Sequence, residues 1–188
     1  YKEGDMGPSY SFNFRHYGAD YKGCDADYTN KGMDQVQYCI DLIKNDPQSR
    51  RIIINLWDPS KLNEMSLPPC MYMYQFYVEN NYLHCHVTLR SSDTFLGLPW
   101  NIATAGLMLK MMAHICQLEP ADLIITINDA HLYQNQINVV QEQLKRSPNT
   151  FPLLFLNTDK KCIYEIEYTD LQLSYYNPHD SLKVDMVV

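Results

Sequence analysis

The sequence predicts an α+β fold, a mixed β-sheet packed against a buried central helix. Three observations carry this expectation. Residues 101–117 are apolar almost all round from Ile102 to Cys116, the pattern of a helix enclosed by its own protein. Residues 72–79 and 82–90 are two β-type runs joined by Asn80-Asn81, a pair suited to a two-residue hairpin turn. The remaining helical and extended segments follow one another without the regular alternation of a doubly wound sheet.

Taken in order, residues 1–33 are rich in Gly, Asp, Tyr and Asn and show little periodicity. They predict a glycine turn, a strand and a long surface excursion. Val36, Cys39, Ile40, Leu42 and Ile43 then recur at helical spacing behind Asp34, an N-cap residue type. Pro47 ends that helix, because a residue preceding proline is pushed away from helical geometry. Residues 51–57 (RIIINLW) are a short β-branched strand. Beyond the hairpin and the central helix, residues 122–128 read as a strand, 134–146 as a more polar helix and 151–176 as short strands between polar turns. The 188 residues carry no repeat, low-complexity segment or linker, so residues 1–188 are expected to form one domain.

Composition narrows the function classes. With 46% hydrophobic and 20% charged residues, the chain has the make-up of a soluble globular protein. A net charge of −7 argues against general nucleic-acid binding, yet leaves room for an anionic small ligand in a local cluster of arginines. No apolar run reaches the roughly 20 residues that span a bilayer, so no membrane partner is expected. The opening Tyr1-Lys2-Glu3-Gly4-Asp5 has neither a basic leader nor an apolar core, and a cytoplasmic protein is expected. The six cysteines stand singly with no C-x-x-C pair, which argues against a metal centre or a disulfide-stapled fold.

Four places carry candidate chemistry. Cys70 follows Pro68-Pro69, whose fixed φ angles hold the backbone ahead of the thiol. A small buried residue at a strand start and a positioned nucleophile both fit that context. Arg90-Ser91 offers a planar fork and a hydroxyl to a phosphomonoester. Asn101 opens the central helix, where an N-cap is the simpler account and recognition of a pyrimidine edge the alternative. Asp129, His131 and Tyr133 alternate along an extended segment and so share one face, as a solvated edge or as a sugar-hydroxyl site. Arg50-Arg51 is harder to place. Neighbours on a strand point to opposite faces, so two arginines there are either solvated charges or an arm reaching into a partner subunit.

Together these segments resemble the thymidylate synthase family. The resemblance rests on Gly7-Pro8-Ser9-Tyr10, NDPQSRR (45–51), LPPC (67–70), RSSDTFLGLPWNIA (90–103), DAHLYQN (129–135), YNPHDSLK (176–183) and the terminal Met186-Val187-Val188, all in family order. Residues 18–36 look like the insertion of eukaryotic-type members. The resemblance implies a homodimer packed sheet face to sheet face, with two shared active sites. It implies conversion of dUMP to dTMP with 5,10-methylenetetrahydrofolate as co-substrate, Cys70 adding covalently to C6 of the uracil ring. Arg90 and Ser91 would hold the phosphate, joined by Arg50 and Arg51 supplied by the partner subunit. Asp93 and Asn101 would serve both nucleotide binding and catalysis, Asn101 at the uracil edge. His131 and Tyr133 would hold the 3′-hydroxyl, and Tyr10 would assist loss of the C5 proton. Asp93, Leu96, Gly97, Trp100 and Val187 match positions that meet the folate, and Val188 matches a closing lid.

Relative to the family pattern, Met71 stands for a frequent His, Leu89 for a Gln and Trp100 for a Phe. The N-terminal third of the family domain, with a phosphate-binding arginine loop and an essential glutamate, is expected to be absent from this chain. A fused dihydrofolate reductase domain is a further expected partner in some members. Two alternatives accompany the main reading: a truncated, non-catalytic nucleotide-binding or dimerisation module, and a dCMP hydroxymethylase. The second would need an acidic residue at the cytosine edge, where this chain has Asn101.

Overall fold

The computed structural model describes residues 2–187. A four-stranded sheet carries the architecture, built from β1 (Ile53–Asn55), β2 (Met71–Glu79), β3 (Tyr82–Leu89) and β5 (Glu119–Ile127) in the order β1-β2-β3-β5. The first two pairings are antiparallel and β3–β5 is parallel, so the sheet is mixed as expected. The parallel pair is connected through β4 (Ser92–Asp93) and helix α3 (Gly97–Cys116), the long crossover that two parallel neighbours require. Strand β6 (Ala130–His131) pairs in parallel with β4. Strands β7 (Leu153–Leu156) and β8 (Leu171–Ser174) form a separate antiparallel pair.

The hairpin forms at Asn80-Asn81, where Asn80 takes φ 55°, a conformation Asn tolerates better than most residues. Helix α2 (Gln35–Asn45) begins where expected, the Asp34 carboxylate accepting the Gln37 N–H at 2.9 Å. Its Val36, Cys39, Ile40 and Ile43 bury against Ile54, Tyr74, Phe76, Leu83, Cys85 and Val87 of the sheet, together with Leu109, Met112 and Ala113 of α3. All of this core lies on one face of the sheet. The opposite face presents Tyr77, Tyr82 and Ile124 to solvent, each more than half exposed.

Several expectations are corrected. The first segment contains a helix, α1 (Tyr10–His16), where a strand was expected. Seven residues cannot hold a helix unaided; this one is set by tertiary bonds from the buried Asn13 amide to the Pro8 and Leu56 carbonyls, at 3.0 and 3.1 Å. Helix α3 starts at Gly97 rather than Asn101, so Asn101 lies inside the helix and is not its cap. The Asp93 carboxylate instead braces the turn ahead of the helix, accepting the Phe95 and Leu96 N–H groups at 3.0 Å each, and the N-cap position is Leu96, whose side chain makes no capping bond. The same helix is buried only along its later turns, from Ala105 to Ile115, while Trp100 is 76% exposed. Arg50 and Arg51 stand in a turn ahead of β1, so the opposite-faces argument for a strand does not apply to them. Finally, the polar helix divides into a 3-10 turn, Gln134–Gln136, and α4 (Ile137–Gln143).

Candidate active site

The site starts from a turn, Pro68-Pro69-Cys70, that leads into β2. Proline carbonyls without helix or strand partners need donors, and Arg90 supplies them. Its Nε donates to the Pro69 carbonyl at 3.0 Å and its Nη2 to the Pro68 carbonyl at 3.1 Å. The same Nη2 lies 4.0 Å from the Cys70 sulfur. The Arg90 backbone N–H completes the clamp on the Cys70 carbonyl at 2.9 Å. On the other side, the Tyr10 hydroxyl oxygen accepts the Cys70 N–H at 2.7 Å and the Met71 N–H at 3.3 Å. The half-buried thiol is therefore held between a phenol and a guanidinium by contacts on both of its peptide groups.

Burial raises the Tyr10 hydroxyl above its ordinary value, and the neighbouring Cys70 raises it further, so the phenol keeps its proton at neutral pH. Cys39 and Cys85 differ in kind from Cys70: enclosed in the core, each thiol is pushed up to about 12 by burial. Behind Arg90 stands Trp57, its ring centroid 5.5 Å from the guanidinium carbon and its edge against Tyr72. The sequence reads Trp57 only as the end of the strand 51–57; its pairing with Arg90, 33 residues on, has no local sequence signal.

A second group assembles along the β4–β6 ladder, which sets Asp93 opposite His131. Thr94 donates to the His131 carbonyl through both its N–H and its hydroxyl, at 3.0 Å each. The His131 and Tyr133 rings meet edge to face at 5.2 Å. Nδ1 of His131 lies 3.6 Å from the Asp129 carboxylate, too long for a hydrogen bond, and is buried without a partner among the described residues. The alternation of Asp129, His131 and Tyr133 thus does place them together. Gln136, missed in the sequence, joins this group to Asp93: its Nε2 donates to Asp93 Oδ2 at 2.7 Å and its Oε1 accepts the Tyr133 N–H at 3.0 Å.

Ser91 and Asn101 are half-buried, Ser91 between Arg90 and β4 and Asn101 in the early turns of α3. Leu96 and Trp100 line a groove of about 970 Å³ with Phe95, Leu144, Tyr176 and Leu182. Gly97 stands over Asp93, where an added Cβ would lie 3.6 Å from the Asp93 Cβ. The chain beyond Tyr176 follows the α4 side of this groove, pinned by His179 at the Ser147 carbonyl, by Arg146 at the Asp180 carbonyl and by Asn135 at the Asp185 carbonyl. Val187 is 42% exposed, and Val188 lies outside the described residues. Arg50 and Arg51 are not brought to Cys70 on their own chain. Both are exposed, and Arg50 borders a hollow on the outer sheet face with Tyr77, His84 and Ile124. No cluster of three or more His, Cys, Asp or Glu among the described residues is arranged to hold a metal ion.

A family model described as thymidylate synthase matches residues 1–188. The chain is 46% identical over 187 residues to a bifunctional dihydrofolate reductase-thymidylate synthase of Zea mays, covering all of this chain and 36% of that protein. It is 46% identical over 185 residues to a thymidylate synthase of Varicella-zoster virus (strain Dumas), covering 98% of this chain and 62% of the relative. A thymidylate synthase of Homo sapiens is 45% identical over 187 residues, covering all of this chain and 60% of the relative. The chain thus spans between about a third and three-fifths of the relatives it matches.

Proposed function

The chain belongs to the thymidylate synthase family, and from that premise we propose that it methylates dUMP to dTMP, with 5,10-methylenetetrahydrofolate as co-substrate. The Cys70 sulfur adds to C6 of the uracil ring, and the displaced π electrons make C5 the nucleophile toward the one-carbon unit. The folate supplies that carbon and a hydride and leaves as dihydrofolate. Everything else falls to the protein. Arg90, with Nε and Nη2 committed to proline carbonyls, has Nη1 left for the nucleotide phosphate, beside the Ser91 hydroxyl. Its charge also faces the sulfur that attacks. Tyr10, anchored at the Cys70 peptide, assists departure of the C5 proton. Asn101 meets the uracil edge with a donor and an acceptor. His131 and Tyr133 take the 3′-hydroxyl, and His131 Nδ1 is a buried polar atom without a hydrogen-bond partner among the described residues. Leu96, Gly97, Trp100 and Val187 border the folate side, and Asp93 stands between folate and nucleotide.

One observation carries this reading: a thiol gripped through its own backbone, with a guanidinium 4.0 Å from its sulfur. The test is incubation with 5-fluoro-dUMP and methylenetetrahydrofolate, followed by intact and peptide mass spectrometry. Fluorine at C5 cannot depart as the proton does, so a covalent ternary adduct on Cys70 should accumulate and be lost in Cys70→Ser. A folded protein that forms no adduct would overturn the proposal and favour a non-catalytic module.

The proposed working unit is a homodimer joined through the outer sheet face, Arg50 and Arg51 of each subunit reaching the phosphate of the other. The exposure of both arginines and of Tyr77, Tyr82 and Ile124 supports it. Mixed dimers of Arg50→Ala and Cys70→Ser subunits should regain activity that neither parent shows; inactive mixtures would refute shared sites. A dihydrofolate reductase domain is a further proposed partner, on the strength of the name of the Zea mays relative.

A further inference from the structure

Gln136 is the largest fully buried polar side chain outside the aromatic Tyr74, with no exposed surface at all. Burying a primary amide costs free energy unless its donors and acceptor are met. Here the partners belong to the candidate site itself. Nε2 donates to Asp93 Oδ2 at 2.7 Å, and Oε1 accepts the Tyr133 N–H at 3.0 Å. The Gln136 N–H closes back on the Tyr133 carbonyl at 3.0 Å. The other Asp93 oxygen is committed to the Phe95 and Leu96 N–H groups at the entry to α3. The Asp93 carboxylate is therefore fixed in rotation by three donors on two sides, and only one of the three is a side chain. Removing that one leaves the carboxylate free to swing about its contact with the Phe95 and Leu96 backbone ahead of α3.

We infer that Gln136 is a positioning residue: it sets the Asp93 carboxylate and the Tyr133 main chain in one frame, so that nucleotide and folate contacts made from β4, β6 and α3 keep a common geometry. The inference rests on the reading of this site as the dUMP and folate site. Gln136 touches neither reactant; it acts through the two residues that would. It also explains why a buried amide, rather than an apolar side chain, occupies a fully enclosed place. Asp93 needs a donor there and the Tyr133 N–H needs an acceptor, and one amide meets both.

Two substitutions of nearly equal size separate positioning from packing. Gln136→Met keeps the volume and loses both bonds. Gln136→Glu keeps the shape and the acceptor for Tyr133 but turns a donor into a second carboxylate facing Asp93. Each variant is assayed well below its own melting temperature, with dUMP binding by calorimetry and steady-state kinetics in dUMP and methylenetetrahydrofolate. Gln136→Met should stay folded and lose about ten- to a hundredfold in dUMP affinity and in kcat/KM, the scale of a misplaced or unpartnered charged group. Gln136→Glu should be at least as impaired at pH 8. It should recover as the pH falls toward 6, because one proton shared between the two carboxylates restores an O–H donor to Asp93. That recovery, relative to the unsubstituted protein, is a signature packing does not produce. Wild-type affinity and kinetics in Gln136→Met, with only a lower melting temperature, would overturn the inference alone. Absence of dUMP binding by the unsubstituted protein would overturn the site reading, and the inference with it.

Discussion

At Cys70 a half-buried thiol lies beside a guanidinium, whereas Cys39 and Cys85 sit in the apolar core with their thiols pushed up to about 12. What distinguishes Cys70 is the fork of Arg90, two of whose nitrogens bind two successive proline carbonyls at a fixed spacing. A lysine ammonium carries the same charge but not that planar geometry. Arg90→Lys should therefore lower kcat/KM by about a hundredfold, an effect of misplacement as much as of losing the proposed phosphate contact. Steady-state kinetics and the rate of fluoro-dUMP adduct formation would both register it; near wild-type values would show that charge alone suffices. Local sequence indicated the candidates here because Pro-Pro-Cys and Arg-Ser are unusual in themselves. It gave no access to Trp57 behind Arg90 or to Gln136 beneath Asp93, since the two meet their partners at sequence separations of 33 and 43 residues and neither has a distinctive neighbourhood.

Among the elements, α1 and the segment after it show how little local propensity governs here. The Asp5 carboxylate binds the Tyr21 hydroxyl at 2.6 Å, the Gly7 N–H at 2.8 Å and the Cys24 N–H at 3.2 Å, and so gathers the long excursion onto α1. The rings of Phe12, Tyr21 and Tyr28 pack together over it, with Tyr28 4.9 Å from Phe12. The return of this segment depends on Gly32, which has φ 69° and lies where a Cβ would come within 2.4 Å of the His16 carbonyl. Gly32→Ala should destabilise the protein by about 1–3 kcal/mol through that clash and the disfavoured φ. Thermal or urea unfolding measures it, and an unchanged midpoint would mean the loop relocates at no cost. Helix α2 behaves oppositely: cap, apolar stripe and proline stop are all encoded within its own residues, and it begins and ends where they indicate.

For the whole molecule, one face of the sheet holds the core and the other is open. Tyr77→Asp places a charge at the middle of the open face without touching the core. If the proposed homodimer forms there, sedimentation or light scattering should find the variant monomeric, with activity lost alongside; a dimeric variant would move the interface elsewhere. The buried thiols predict how the fold responds to alkali. Cys39 and Cys85 ionise near the ordinary thiol value of 9.0 when unfolded but only near about 12 when folded. Between those values the unfolded state binds fewer protons, so stability is fully present below pH 9.0 and falls as the pH rises. Each thiol contributes a slope of about 1.4 kcal/mol per pH unit. Urea midpoints measured from pH 8 to 10.5 should decline, and decline less in a Cys39→Ala, Cys85→Ala double variant. A flat profile would contradict the enclosure of these thiols.

The sequence by itself determined the parts of this protein that depend on neighbours in the chain: the Asp34-capped helix, the Asn80-Asn81 hairpin, the long apolar helix and the mixed α+β class. Those signals are short-range because caps, turns and apolar periodicity act within a few residues. It also held the ordered motifs that place the chain in its family. Tertiary structure decided the rest. It made a helix of residues 10–16, moved the start of α3 back to Gly97, and so placed Asn101 inside that helix rather than at its cap. It set Arg90 against Cys70 and Gln136 against Asp93, and it left Arg50 and Arg51 facing outward. The helix at 10–16 and the pairings of Arg90 with Cys70 and of Gln136 with Asp93 rest on hydrogen bonds or charges between residues far apart in sequence, whose geometry exists only once the sheet and its crossover have brought them together.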